Sequence, residues 1–338
     1  MTASLGIGWI MAGLAAAAGL SSGLILLLKP LLQRYALARP NARSSHTIPT
    51  PQGGGIAVIG AALVVTGAVL AAAGVAWPSW LLLLAGAAGA LAVLGAVDDI
   101  RPLPVAPRFG LQLLVIGLFI FGLPADWRIV PALPAPVERT LLLAAAVWFV
   151  NLTNFMDGLD WMTVAETLPV TAALAVLGYA AGLAPAAAVV LAAALFGAML
   201  GFAPFNKPVA RLFLGDVGSL PLGLMLFALL LIIAASGAVA AAVLLPLYYL
   251  ADATLTLIRR MIAGERFWQA HRSHYYQRAT SNGFTVRQVV GRVFAVNLAL
   301  ALLAFASVAV PSWPIWIGTL ALGGLLVGLL LRSFARPR

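Results

Sequence analysis

The feature that most limits the fold of this chain is a series of apolar runs, each about long enough to cross a lipid bilayer. A helix needs about 20 apolar residues to span the hydrocarbon core. Because 63% of the 338 residues are hydrophobic and only 9% are charged, a soluble domain is excluded. We predict an all-α, polytopic integral membrane protein with about 11 transmembrane helices, in a single membrane domain over residues 1–338. The runs lie roughly at residues 5–28, 53–76, 80–97, 109–124, 137–150, 162–182, 184–203, 217–235, 237–257, 293–310 and 314–331.

Basic residues lie almost entirely on one side of the predicted spans. When alternate loops are placed on opposite faces, 18 of the 20 Lys and Arg residues share one face, and only Arg128 and Arg139 fall on the other. Such residues accumulate in cytoplasmic loops, so the N-terminus is predicted outside and the C-terminus inside. The net charge of +10 is spread over several loops, which favours a lipid surface and no nucleic acid as partner. No basic residue precedes the first run, which is interpreted as an anchor helix and not a signal peptide.

Acidic residues are few, and most lie where an apolar run meets a cytoplasmic loop. The inner loops are predicted at about 29–52, 98–108, 151–161, 204–216 and 258–292. Carboxylates are costly within a bilayer, so their accumulation at one membrane face indicates function, and binding of Mg²⁺ and phosphate suits them best. Seven of the ten acids belong to this set: Asp98, Asp99, Asp157, Asp160, Glu166, Asp216 and Glu265.

Two of the inner loops carry the densest polar clusters. Asp98 and Asp99 are adjacent and repel, so one of them should be protonated or neutralised by a cation, whereas a helix cap would need only one. Asn151, Asn154 and Asp157 are spaced by three and share one face of a helical turn. They could present oxygens to one ligand. The alternative is a capped helix end, with Asp160 as the N-cap of the next helix.

The remaining inner loops each allow two interpretations. Residues 53–55 are three glycines before a helix, which either bring backbone N–H groups to an anion or form a tight turn. Asp216, set between glycines, is either a metal ligand or an N-cap. His271 and His274 lie among arginines, so an anion site is favoured over zinc, for which the only further ligand nearby is Glu265. Because the chain has no Cys, thiolate chemistry is excluded.

Four motifs in this order, AVDDI, NLTNFMDGLD, FLGDVGS and the His-containing loop, resemble the polyprenyl-phosphate N-acetylhexosamine-1-phosphate transferase family, of the glycosyltransferase family 4 type. The resemblance covers about residues 43–292. It implies that a UDP-linked N-acetyl amino sugar gives its sugar-1-phosphate to undecaprenyl phosphate, with release of UMP. It also implies Mg²⁺, or Mn²⁺ in its place, and an active site on the cytoplasmic face of a bacterial inner membrane, and it leaves room for a homodimer.

The resemblance also assigns roles to residues. The catalytic set is Asp98, Asp99, Asp157 and Asp160, with Asp98 as the candidate base, and the metal ligands are Asp216 and Asp99. Phe213 corresponds to an aromatic residue that stacks on uracil. An acid that attacks first to form a covalent intermediate and direct attack by the lipid phosphate both remain open. The substrate-binding set is His46, Asn151, Asn154, Phe213, His271, Arg272, His274, Tyr276, Gln277 and Arg278.

The last loop departs from the family pattern His-x-His-His, because it reads His274, Tyr275, Tyr276, Gln277. We interpret this departure as the O-antigen-initiating branch, acting on 6-deoxy amino sugars such as N-acetylfucosamine or N-acetylquinovosamine. It argues against the peptidoglycan branch. The alternatives are a UDP-N-acetylglucosamine-specific transferase of the same family and, from other classes, a secondary transporter or a non-catalytic scaffold.

Overall fold

The chain folds as a bundle of long helices, as predicted. The structure is a computed structural model and describes residues 5–38, 49–266 and 271–338. In these ranges it contains two short strands, β1 Leu37–Ala38 and β2 Thr50–Pro51, which pair antiparallel with Leu37 opposite Pro51. The helices are α1 Ile7–Tyr35, α2 Gly54–Ala72, α3 Ser79–Ile100, α4 Val105–Phe121, α5 Ala135–Met156, α6 Met162–Ala180, α7 Ala186–Phe202, α8 Asp216–Ala235, α9 Val239–Leu244, α10 Leu247–Ile262, α11 Tyr275–Ser281, α12 Val286–Ala309 and α13 Trp313–Phe334.

Every predicted apolar run is helical, and the all-α polytopic membrane fold is confirmed. Eight of the helices within the described ranges are long and apolar enough to cross a membrane, and α4 and α7 are shorter apolar helices. Large apolar side chains such as Leu27, which is 75% exposed, lie on the outer surface of the bundle. Such a surface suits contact with lipid chains and would be a liability in water.

Two of the differences from the predicted boundaries bear on the site. The ninth run folds as two helices, α9 and α10, which meet at Leu245 and Pro246, because proline lacks an N–H and its ring clashes with the preceding turn. The fifth run was predicted to end at residue 150, but α5 continues to Met156. Asn151 and Asn154 therefore lie on the last turns of a helix, where their side chains contact polar groups of neighbouring helices.

Helix α8 is the centre of the bundle. Every residue from Val217 to Ala234 except Phe227 is buried, as expected for a helix that is apolar on all sides. It packs against α2, α3 and α5, while α1 packs on α7 and α6 on α12. At the inner end, α2 and α8 touch backbone to backbone, since a Cβ added to Gly55 would lie 2.1 Å from the Gly218 Cα. This close approach brings the motif residues of α8 against the first inner loop.

Candidate active site

The last turn of α3 caps the first turn of α8. The Asp99 carboxylate accepts hydrogen bonds from the backbone N–H groups of Asp216 and Val217, at 3.0 and 3.1 Å. These N–H groups carry the positive end of the helix dipole, which a carboxylate stabilises. Gly95 permits the contact, because a Cβ at that position would lie 2.3 Å from the Asp216 carbonyl. Asp99 and Asp216, 117 residues apart in sequence, are thereby held side by side.

Arg108, near the start of α4, joins the paired-acid motif to the α8 motif. Its guanidinium forms ion pairs with Asp98, through Nη1, and with the Asp216 Oδ2 atom, through Nη2 at 2.8 Å. The same Nη2 donates to the Asn154 Oδ1 atom at 3.2 Å. Asp98 also accepts from the backbone N–H of Leu103 at 2.7 Å. One cation therefore offsets charge on two separate carboxylates, which stay close together because of it.

The asparagines of α5 do not share one ligand. Asn154 donates to the Asp216 Oδ1 atom at 2.7 Å and to the Ser219 hydroxyl at 2.8 Å, so it belongs to the acid cluster. Asn151 instead donates to the Gln112 side chain of α4 at 2.9 Å and to the Val147 carbonyl. The common face predicted from the spacing of three is thus divided between two contacts. Asn154 lies in the site, and Asn151 ties α5 to α4.

Asp157 lies just after α5 and is oriented by the next helix. The Thr163 hydroxyl donates to its Oδ1 atom. The pKa of Asp157 is raised to about 7, mainly by burial and in part by the neighbouring carboxylates of Asp216, Asp99 and Asp160, while the Thr163 hydrogen bond opposes the rise. A carboxyl with this pKa is divided between its two protonation states near neutral pH. Asp157 can therefore exchange a proton near neutral pH.

Asp160 is not the N-cap that the sequence allowed as an alternative. Trp161 occupies that position, with a φ of 63°, and the Asp160 Oδ2 atom accepts from the backbone N–H of Ala210 at 2.9 Å. Asn206 completes the connection, because its Oδ1 atom accepts from the Trp161 N–H at 2.7 Å. These contacts fix the loop after α5 on the loop before α8.

The first inner loop pairs with the FLGDVGS motif. The N–H groups of Gly54 and Gly55 donate to the carbonyls of Phe213 and Leu214, both at 2.9 Å, so they are engaged within the protein. For these two glycines the contacts favour the tight-turn interpretation. The Gln52 side chain donates to the Asp99 carbonyl at 2.8 Å. Phe213 is half-buried beside this loop, with its backbone held on both sides.

The last inner loop is anchored by a carboxylate of α10. Asp252 is fully buried and accepts from the N–H groups of Tyr275 and Tyr276 at 2.8 and 3.0 Å. The hydroxyls of Tyr248 and Thr256 donate to the same carboxylate, at 3.1 and 3.3 Å. Asp252 therefore anchors the first turn of α11 to α10.

The His and Tyr side chains of this loop lie at different depths. Tyr276 is fully buried and donates from its hydroxyl to the Phe155 carbonyl at 2.9 Å. That hydroxyl also faces Gly158, where an added Cβ would lie 2.1 Å away. Any effect of Tyr276 on a substrate must pass through the backbone of residues 155–158.

His274 is buried with its Nδ1 atom 3.6 Å from the Asp252 carboxylate. Burial lowers the pKa of His271 to about 4, with nearby His274, Arg260 and Arg259 adding to the shift, so this ring is neutral near pH 7.

The other predicted residues of the loop are less enclosed. Gln277 is half-buried and accepts from the backbone N–H of His274 at 3.3 Å. Arg272 is exposed, and the guanidinium of Arg278 lies 5.9 Å from the centre of the Tyr275 ring. His46 lies outside the described residues.

The charge balance of the cluster favours a cation or a positively charged partner. Asp98, Asp99 and Asp216 lie near the guanidinium of Arg108, and Asp157 is close enough to Asp99 and Asp216 for their charges to act on it. Within the described ranges no group of three or more His, Cys, Asp or Glu residues forms a complete metal site. Mg²⁺ usually takes one or two protein carboxylates and completes its shell with water and substrate phosphates. Asp216 fits that requirement, because its two oxygens accept from the side chains of Asn154 and Arg108, which can move away, whereas the oxygens of Asp99 accept from backbone N–H groups of α8.

Sequence reasoning missed two residues that organise the site, Arg108 and Asp252. Arg108 gave no signal beyond a positive charge on the inner face, which 17 other basic residues share. Asp252 lies within an apolar run and belongs to no motif. Only the packing of α4 and α10 against distant segments gives these side chains their partners.

Comparison with known proteins agrees with the four motifs. Residues 80–235 match the profile of glycosyl transferase family 4. The chain is 28% identical over 295 residues to the decaprenyl-phosphate N-acetylglucosaminephosphotransferase of Mycobacterium tuberculosis H37Rv, covering 75% of this chain and 71% of the relative. It is 25% identical over 308 residues to the probable undecaprenyl-phosphate N-acetylglucosaminyl 1-phosphate transferase of Bacillus subtilis, covering 87% and 84%. It is 28% identical over 309 residues to the phospho-N-acetylmuramoyl-pentapeptide-transferase of Ruegeria pomeroyi, covering 77% and 80%.

Proposed function

Because residues 80–235 form a glycosyl transferase family 4 domain, as the motifs predicted, we propose that this membrane protein transfers an N-acetylhexosamine-1-phosphate from a UDP-sugar to undecaprenyl phosphate and releases UMP. Its homologues are polyprenyl-phosphate sugar phosphotransferases. The observation that carries the proposal is the meeting of Asp98, Asp99, Asn154 and Asp216 around Arg108. Three motifs far apart in sequence thereby form one polar site at the inner ends of apolar helices.

This geometry suits transfer between two phosphates. The reaction brings a lipid phosphate towards a diphosphate, and catalysis consists of offsetting their charges and aligning the attacking oxygen. Arg108 can exchange its carboxylate partners for phosphate oxygens, because a guanidinium binds either anion through parallel hydrogen bonds. Asp98, released from Arg108 in that exchange, is then available to act on the acceptor phosphate. Asp157 can hold or release a proton near neutral pH.

Mg²⁺, or Mn²⁺, is part of the proposal, with Asp216 as its main ligand. When bound, the ion would offset the charge of the diphosphate and of the departing UMP. Asp99 contributes mainly by fixing the start of α8, so that Asp216 faces the cluster. The Asn154 amide, which donates to the Asp216 carboxylate at 2.7 Å, sets its orientation.

For the sugar, we propose a 6-deoxy N-acetylhexosamine and a role in starting O-antigen or another surface polysaccharide at the inner membrane. The support for this sugar is the last inner loop, which departs from the family pattern at Tyr276 and Gln277. Both side chains lie within reach of Gly158. Tyr276 acts as a positioning residue for the 155–158 backbone, and Gln277 is the more accessible of the two. UDP-N-acetylglucosamine is the second candidate, because the Mycobacterium and Bacillus relatives are named for that sugar.

The test measures UMP release by purified protein in lipid nanodiscs with undecaprenyl phosphate and Mg²⁺. The donors are UDP-N-acetylquinovosamine, UDP-N-acetylfucosamine and UDP-N-acetylglucosamine, each with and without the lipid acceptor. Asp216→Asn is the inactive variant, and Asp126→Asn, an exposed acid of the outer loop, is the matched control. We expect lipid-dependent UMP release by the wild type and the control only. Release that is equal in Asp216→Asn would contradict the proposed site, and a preference for UDP-N-acetylglucosamine would contradict the proposed sugar alone.

A further inference from the structure

A carboxyl group outside the proposed active site is buried between two membrane-spanning helices. Glu166 is the fifth residue of α6, about 6 Å along the axis from its inner end. It is 2% exposed, and it faces Asn297 of α12, which is 1% exposed. The two residues are 131 positions apart in sequence. An acid enclosed at this depth is costly unless its hydrogen-bonding groups and its charge are matched.

One oxygen of Glu166 and one of Asn297 lack a hydrogen-bond donor among the described residues. The Asn297 Nδ2 atom donates to the Glu166 Oε2 atom at 2.7 Å and to the Ala165 carbonyl at 3.1 Å, which uses both amide hydrogens. Glu166 Oε1 and Asn297 Oδ1 have no partner in the part of the chain that the structure describes. Both orphaned atoms are acceptors. They belong to the same two side chains, which are already joined by one bond.

No cation among the described residues pairs with Glu166. The titratable side chains on which a charge at Glu166 would act are Tyr248 and Tyr249 of α10, both fully buried. Helix α7 contains no titratable residue, and α8 has only Asp216, at its first position. Helix α12 brings Arg287 and Arg292, which lie one to three turns before Asn297 and have partners elsewhere. Helix α5 has its charged pair at the outer end. An ionised Glu166 would therefore be an uncompensated charge.

We propose that Glu166 is a neutral carboxylic acid and that it forms a two-bond ring with Asn297. A proton on Oε1 donates to Asn297 Oδ1, while Asn297 Nδ2 donates to Oε2. One proton, taken from solvent when the chain folds, thereby satisfies both orphaned acceptors and removes the charge. The site is a proton-binding site that lies outside the proposed reaction and does not depend on it.

The pair has a structural consequence for the loop above it. Helix α6 begins directly after the Asp157–Trp161 segment, and its Thr163 hydroxyl donates to Asp157. Asn297 holds the same turn through both Glu166 and the Ala165 carbonyl. The protonated pair is thus a tie between α12 and the first turn of α6, which supports Asp157.

The decisive variant is Glu166→Gln, because glutamine reproduces the ring without a proton. Its Nε2–H donates to Asn297 Oδ1, and its Oε1 atom accepts from Asn297 Nδ2. Above about pH 5 the Glu166 carboxyl of the unfolded chain is ionised, so the wild type must take up a proton when it folds. The stability of the wild type therefore falls as the pH rises from about 5 to 8. We therefore expect Glu166→Gln to unfold at a higher temperature than the wild type at pH 7, with a difference that widens from pH 5 to 8. Asn297→Leu, which leaves the acid without its amide, should unfold at a lower temperature.

Two results would overturn the proposal. One is a Glu166→Gln protein that unfolds at a lower temperature than the wild type at pH 7, and the other is a difference that does not change with pH. Infrared spectroscopy tests the wild type alone, should the variant fail to fold. The chain has three Glu residues, and Glu138 and Glu265 are in ion pairs with Arg128 and Arg260. After ¹³C-labelling of the Glu carboxyls, a neutral carboxylic acid band at pH 7 is expected, and labelled carboxylate bands alone would contradict it.

Discussion

The anchoring of the last inner loop by Asp252 can be tested by removing its acceptors one step at a time. The carboxylate accepts four hydrogen bonds, from two backbone N–H groups of α11 and from the hydroxyls of Tyr248 and Thr256. In Asp252→Asn one oxygen is replaced by an NH₂ group. A hydroxyl can rotate to accept from that group, but a backbone N–H cannot. One N–H, of Tyr275 or Tyr276, is then left without a partner.

The expected costs follow from this count. An orphaned buried donor costs roughly 1 to 3 kcal/mol, and the remaining bonds lose their charged acceptor, so Asp252→Asn should cost about 3 kcal/mol. Asp252→Leu orphans both N–H groups and should cost roughly 4 kcal/mol. Tyr248→Phe removes one donor together with its bond and should cost about 1 kcal/mol. For a chain of this size, 1 kcal/mol corresponds to roughly 2 °C in Tm.

The assay is thermal unfolding in nanodiscs, followed by UMP-release kinetics on the variants that fold. Because Asp252 supports the His271–Arg278 segment from below, we expect its loss to raise KM for the UDP-sugar more than it lowers kcat. Tyr248→Phe is the matched control, since it alters the same carboxylate but leaves α11 anchored. If Asp252→Asn is no less stable than Tyr248→Phe, the carboxylate is not the anchor of this loop.

Four further predictions concern the site and the topology. Asp216→Asn should lower turnover by about 10² to 10⁴ and change its Mg²⁺ dependence, and near-normal activity with the same requirement would assign the metal to another residue. Asp98→Asn should lower turnover while UDP-sugar binding, measured by calorimetry, survives; parallel losses would contradict the division of roles. Gly218→Ala places a Cβ 2.5 Å from the Gly55 Cα and should cost about 1 to 3 kcal/mol in unfolding experiments, whereas an unchanged Tm would refute the close contact of α2 and α8. Cys placed at Ser281 should be protected from an impermeant thiol reagent in intact cells, and labelling there would reverse the predicted orientation.

Much of the fold could be predicted because hydropathy is a local property of the sequence. The apolar runs and the helical class were predicted correctly, and residues 80–235 match the profile of the family type that the motifs resemble. The errors in helix bounds have local causes as well. Asn151 and Asn154 lower the mean hydropathy at the end of α5, although both remain helical because their side chains find polar partners across the bundle.

The sequence by itself determined that this chain must be a helical membrane protein with most of its acids predicted at one face, since each helix satisfies its own backbone hydrogen bonds within a single apolar run. The tertiary structure alone decided which of those acids meet. Asp99 reaches the N-terminus of α8 because α3 and α8 pack closely at Gly95, and Arg108 contacts three motifs because α4 begins beside them. Glu166 finds Asn297 for the same reason, across 131 residues. Such partners depend on how distant helices pack, and a linear pattern of residue types carries no record of that packing.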